Sequence, residues 1–228
     1  MILFIILWYI FIALIPGIFW VWFYRREDKK NPEPRNLIIK VFLWGMAITV
    51  PTIAFEFAAD FFVPFTTSEK FYIIVLASLF IIAPIEEYFK YLVIKKKVYP
   101  NPAFDEPLDG VIYGVVAGLG FASLENILVI FSEGQNAIIL RFATATLMHA
   151  VTSGIVGYYL GIAKFIKQKD KEKSLISQGL IIAILLHGLY NIIVSIQTVF
   201  TLILTVLFLF VMYLILASKI QEAKKAKI

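Results

Sequence analysis

Seven stretches of about 20 mainly apolar residues account for most of this chain, and each is long enough to cross roughly 30 Å of hydrocarbon as a helix. They run near 2–24, 37–60, 71–94, 110–132, 137–163, 175–198 and 199–217, the last two almost continuous with one another. With 228 residues and 61% hydrophobic content, the chain reads as an all-α polytopic membrane helix bundle of about seven transmembrane helices. No linker or low-complexity segment divides it, so one transmembrane domain is expected over 1–228, with the polar core at about 71–198. The first stretch has neither a basic leader nor a small-residue cleavage site, and reads as a retained helix rather than a signal peptide. Without cysteine the chain has no disulfides, no thiolate chemistry and no cysteine-ligated metal.

The net charge of +5 sits in the connections, and its distribution predicts orientation. Arg25, Arg26, Lys29, Lys30, Arg35 and Lys40 follow the first span, Lys95 to Lys97 the third, and Lys164, Lys167, Lys169, Lys171 and Lys173 the fifth. Lys219, Lys224, Lys225 and Lys227 end the chain, whereas the alternate connections hold only Lys70. By the positive-inside rule the N-terminus faces out and the C-terminus in. Topogenic and lipid-facing roles explain these clusters, so no nucleic-acid partner is expected.

Against this apolar background, polar residues need a reason. Glu86 and Glu87 lie side by side inside the third span, where an ionised side chain costs roughly 2.5–3.5 kcal/mol on insertion scales. Glu125 and Asn126, His149, and His187 with Asn191 interrupt the next three spans, and the chain has only two histidines. Residues four apart share a helix face, and small residues let helices approach closely in lipid. Gly110, Gly114, Gly118 and Ala122 lead to Glu125 and Asn126. Arg141, Ala145, His149, Ser153, Gly157 and Gly161 form a second face, and Gly179, Ala183, His187, Asn191 and Ser195 a third. Any one such group can be a structural interhelical hydrogen bond worth about 0.6–2 kcal/mol. Such groups on four successive helices point instead to one polar chamber at membrane depth.

Within that chamber Glu86 and Lys90 form an i,i+4 pair, which leaves Glu87 and Glu125 with Arg141. Adjacent carboxylates raise one another's proton affinity and suit general acid–base work. Pro84 should kink the third span just before them. Depth is less regular: counting 1.5 Å per residue puts Glu87 roughly 24 Å, His149 about 19 Å, His187 about 15 Å and Glu125 about 10 Å below the outer ends of their spans. Glu56 and Asp60 fall near the outer end of the second span and read as interfacial.

Glu86-Glu87-Tyr88-Phe89-Lys90 matches an EExxK motif, and Phe121-Ala122-Ser123-Leu124-Glu125, followed by Asn126, matches FxxxE. With His149 and the His187-Gly188-Leu189-Tyr190-Asn191 stretch, the set resembles the PrsW family of intramembrane proteases. Asp28, Asn31-Pro32-Glu33-Pro34 and Asp109-Gly110 are also similar to that family, so the resemblance covers nearly the whole chain. The related type II CAAX prenyl endopeptidases carry EExxxR and FxxxH. Lys90 stands one position before that arginine and Glu125 replaces that histidine, which favours the PrsW branch.

The resemblance implies an intramembrane endopeptidase of a prokaryotic plasma membrane that cleaves a single-pass membrane protein such as an anti-sigma factor. Glu86 or Glu87 would position and deprotonate water. The other of the pair, Glu125 or His149 would carry the proton to the leaving amine. His187 and Asn191 would donate to the oxyanion. Lys90, Asn126 and Arg141 would support them. No HExxH helix is present, so a metal-free glutamic mechanism is the expectation. The residues also allow zinc, with Glu87, His149 and His187 as ligands. Two alternatives come from other classes. One is a non-catalytic scaffold resembling the Aph subunit of γ-secretase. The other is a proton-coupled transporter, disfavoured by the lack of inverted repeats and paired broken helices.

Overall fold

The computed structural model describes residues 1–29 and 31–226, with the side chain of Lys169 excepted. Among these residues all regular structure is helical, and seven helical segments are long and apolar enough to cross a membrane. The protein is a multi-pass membrane helix bundle. Its elements are α1 (Ile2–Arg25), α2 (Arg35–Phe62), α3 (Phe71–Ala77), α4 (Ala83–Val93), α5 (Pro107–Glu133), α6 (Ala137–Ala143), α7 (Ala145–Phe165), α8 (Lys169–Ser195) and α9 (Val199–Lys225). α3 and α4 belong to the third span, and α6 and α7 to the fifth. The near-continuous sixth and seventh spans are separated at Ile196–Thr198, where Gln197 takes a left-handed conformation (φ 52°) and Thr198 caps α9.

α5 is the central helix, buried almost without a break from Pro107 to Ser123. Its start is fixed by Pro107 in the first turn and a reciprocal capping box between Glu106 and Asp109. The predicted small-residue faces meet here. A Cβ added at Gly110, Gly114 or Gly118 would run into the backbone carbonyl of Gly157, Ser153 or His149 on α7. On its other side α5 packs as closely against α2, with Gly45 over Ala117 and Gly120 over Phe42. Glycine is therefore needed because two backbones touch, which is how helices associate where lipid supplies no hydrophobic drive. Gly118→Ala should lower stability in detergent by about 1–3 kcal/mol and displace His149, lowering activity as well. Unchanged melting would contradict this packing.

Two helix interruptions position the polar residues. A π-helical turn at Ser78–Ile82 precedes Pro84 and absorbs its missing donor, with the Ala83 N–H reaching back to the Ser78 carbonyl. The fifth span breaks at Thr144 (φ −118°, ψ −90°), although neither proline nor glycine marks the spot. This break resolves the uneven depth count. Arg141 before the break and His149 after it both contact Glu125.

The basic connections gather at one end of the bundle. Lys95 pairs with Glu172, Lys164 donates to the carbonyls of Tyr99 and Phe104, Asn31 bonds Asp105, and Lys224 pairs with Glu27. The positive-inside rule expects this end to face inward. Lys30 and Lys227, counted in that reading, lie outside the described residues.

Candidate active site

The carboxylates of α4 sit one turn beyond the π-helical segment, facing α7 and α8. Glu86, Glu87, Lys90, His149 and His187 are each no more than 5% exposed. Burying these groups is tolerable only where they find partners, and most of their polar atoms do, with Glu86 Oε2 and Glu87 Oε2 the buried exceptions.

Glu87 Oε1 collects three donors: Lys90 Nζ at 2.6 Å, His187 Nδ1 at 2.8 Å and Thr152 Oγ1 at 3.0 Å. Lys90 is thus held chiefly by Glu87, with Glu86 Oε2 farther away at 3.5 Å. The expected Glu86–Lys90 pair is present, and Glu87 adds a closer contact that the sequence reading did not name. Residues three and four apart both share the face, and the three-residue spacing gives the shorter contact here. Lys90 Nζ also lies 3.0 Å from His149 Nδ1. An ammonium group can only donate, so His149 Nδ1 accepts, and its Nε2–H donates to Glu125 Oε2 at 2.7 Å. The tautomer follows from this network.

Glu125 keeps about a quarter of its side chain exposed and also pairs with Arg141 Nη2 at 3.2 Å. Arg141 Nε donates to Asn126 Oδ1 at 2.7 Å, and Asn126 Nδ2 donates to Thr146 Oγ1 at 3.1 Å. The two imidazoles stand edge to face with centroids 5.2 Å apart, and Phe121 packs on His149 at 5.5 Å.

Each imidazole therefore has one nitrogen tied to a carboxylate, Glu87 for His187 and Glu125 for His149. The remaining nitrogens lie 3.9 Å (His187 Nε2) and 3.8 Å (His149 Nδ1) from Glu86 Oε2. That oxygen is buried without a hydrogen-bond partner. Glu86, His149 and His187 offer ligand atoms within 4.8 Å of one another, the right number and chemistry for one divalent metal. A carboxylate behind each ligating imidazole is the usual supporting arrangement. The carboxylate of this set is Glu86, not Glu87 as the sequence suggested, because the Glu87 oxygen that faces His187 and Lys90 already has three donors.

Eight of the nine sequence-selected residues meet in this network. Asn191 does not: it is half-buried one turn beyond His187 and forms none of these hydrogen bonds. Glu56 and Asp60 line one cavity near the end of α2, where Glu56 Oε1 is buried without a hydrogen-bond partner and Asp60 accepts from the Thr66 N–H and hydroxyl. Sequence reasoning missed Thr152. Its position three residues after His149, on the same helix face, was the available signal.

Comparison with known proteins follows this geometry. Residues 33–217 match the model of the family described as "PrsW family intramembrane metalloprotease". The chain belongs to the PrsW family of intramembrane proteases. It is 30% identical to Protease PrsW of Clostridioides difficile over 92% of this chain and 89% of that one. It is 33% identical to that of Oceanobacillus iheyensis over 86% and 87%, and 31% identical to that of Bacillus subtilis over 80% and 81%. No solved structure matches.

Proposed function

We propose that this protein is an endopeptidase of a bacterial plasma membrane that cuts a single-pass membrane protein, an anti-sigma factor being the substrate class suggested by the family. In this reading Glu86, His149 and His187 hold a divalent metal, with zinc suited to two imidazoles and a carboxylate. The observation that carries it is the unpartnered Glu86 oxygen within 4 Å of a nitrogen of each carboxylate-anchored imidazole, the Nε2 of His187 and the Nδ1 of His149 that Lys90 also reaches.

A metal so held would polarise the scissile carbonyl and acidify water at neutral pH. The remaining work belongs to the side chains. Glu87, clamped by Lys90 and Thr152, fixes the His187 ring. Glu125 orients His149, and as the most exposed carboxylate of the site it takes the proton from water and returns it to the leaving amine. Arg141 and Asn126 hold Glu125 in place. Asn191 has no part in this reading.

A second reading rests on Lys90, whose ammonium already occupies the lone pair of His149 Nδ1. Here the lysine supplies the fixed positive charge and Glu86 acts as the base without a metal. Metal content separates the two. Purified protein should carry about one equivalent of zinc, lost together with activity on dialysis against a strong chelator and restored on adding zinc back. His187→Ala should abolish retention. Full activity in protein stripped of metal would overturn the metal reading in favour of the glutamic one.

A further inference from the structure

A second group of ligating side chains lies where the first loop meets the start of α5. Asp28, Glu106 and Asp109 present carboxylate oxygens within 4.8 Å of one another. Asp28 is 3% exposed and Asp109 fully buried. Asp28 Oδ1 accepts from the Asn31 N–H at 3.2 Å, leaving Oδ2 buried without a hydrogen-bond partner. Asp109 Oδ2 accepts from the N–H groups of Asp105 and Glu106 at 2.8 and 2.7 Å, while its Oδ1 is also buried and meets no donor other than the neighbouring Glu33 carboxyl. Glu33, 5% exposed, packs beside them and accepts from the Tyr113 hydroxyl.

Among the described residues no cationic side chain forms an ion pair with Asp28, Glu33 or Asp109. Lys224 is taken by Glu27 at 2.7 Å, and Arg25 bonds the Glu33 carbonyl rather than its carboxylate. Buried carboxylates without a counter-ion are expensive. Burial, with Asp109 alongside, pushes the Glu33 carboxyl up to about 9, and burial raises Asp28 too, outweighing the opposing charge of Lys224.

We propose that Asp28, Glu106 and Asp109 bind one divalent cation of the hard, oxygen-preferring class (calcium, magnesium or manganese) at the inner end of the bundle. The donor set is oxygen only, which suits these ions and not zinc. Asp28 Oδ2 and Asp109 Oδ1 come from different segments. A bound cation would therefore clamp the α1–α2 loop to the N-terminus of α5, the helix that carries Glu125. The site shares no residue with the Glu86–His149–His187 set, so it stands whatever happens to the metal reading there.

The test is a calcium, magnesium and manganese titration of metal-stripped protein in detergent, read by melting temperature, in wild type and in the Glu86→Gln background. Both should gain about 3–5 °C at an ion concentration tenfold above Kd. Terbium should bind the Glu86→Gln protein at one equivalent and be displaced by calcium. Asp28→Asn, which keeps the Oδ1 acceptor for Asn31, should lose both responses. Glu106→Gln serves as an independent variant should Asp28→Asn fold poorly. No response in wild type to 10 mM of any of the three ions, or a response unchanged in the variants, would overturn the proposal.

Discussion

Glu86→Gln is expected to abolish cleavage by the purified protein while leaving its melting temperature close to wild type. The amide keeps the volume and one oxygen of the carboxylate but cannot ionise. Glu86 Oε2 has no hydrogen-bond partner, and Lys90 approaches it only at 3.5 Å, so the fold loses little. Activity loses a metal ligand in one reading and the base in the other. Loss of a general base alone removes roughly 10²–10⁴-fold in rate. His187→Ala should be as inactive but less stable, because it also removes a donor from Glu87 Oε1. A Glu86→Gln protein that unfolds at low temperature would assign Glu86 a structural role instead.

Lys90→Met should be the most destabilising single change in the site. Lys90 is 1% exposed and reaches Glu87 at 2.6 Å and His149 at 3.0 Å, and methionine matches much of its volume without the charge. Removing one partner of a buried pair leaves an uncompensated charge and costs roughly 3–5 kcal/mol. Adding Glu87→Gln to Lys90→Met removes the stranded carboxylate and should recover a substantial part of that loss, a coupling readable as a double-mutant cycle in detergent melting. Strict additivity of the two changes would mean that Glu87 and Lys90 do not interact as described. Neither the single nor the double variant should cleave substrate, because His187 loses its anchor or Glu87 its clamp.

The sequence made the spans and the packing faces legible because both are recorded as residue type over many positions. Seven apolar stretches can only be satisfied as helices, and glycines at 110, 114, 118 and 157 mark where backbones touch. The polar chamber was legible for a related reason: a charged or imidazole side chain in an apolar span is conspicuous. What resisted reading depends on geometry that one residue type does not encode. The break at Thr144 carries no proline or glycine, so the depth of His149 relative to Glu125 was miscounted. The choice of Lys90 between Glu86 and Glu87 turns on a fraction of an ångström between two allowed spacings. Thr152 reads as an ordinary core residue until Glu87 is seen beside it. Asn191 has the right face and spacing yet stays outside the network, since a shared face fixes direction and not reach.

The most direct test reconstitutes wild type, Glu86→Gln and His187→Ala separately into liposomes with a single-pass membrane protein substrate and measures product formation by mass spectrometry. Wild type should yield one pair of fragments that join at a single peptide bond, and both variants should yield none above background at equal protein incorporation. Equal cleavage by wild type and both variants would show that the Glu86–His149–His187 centre does not carry the reaction.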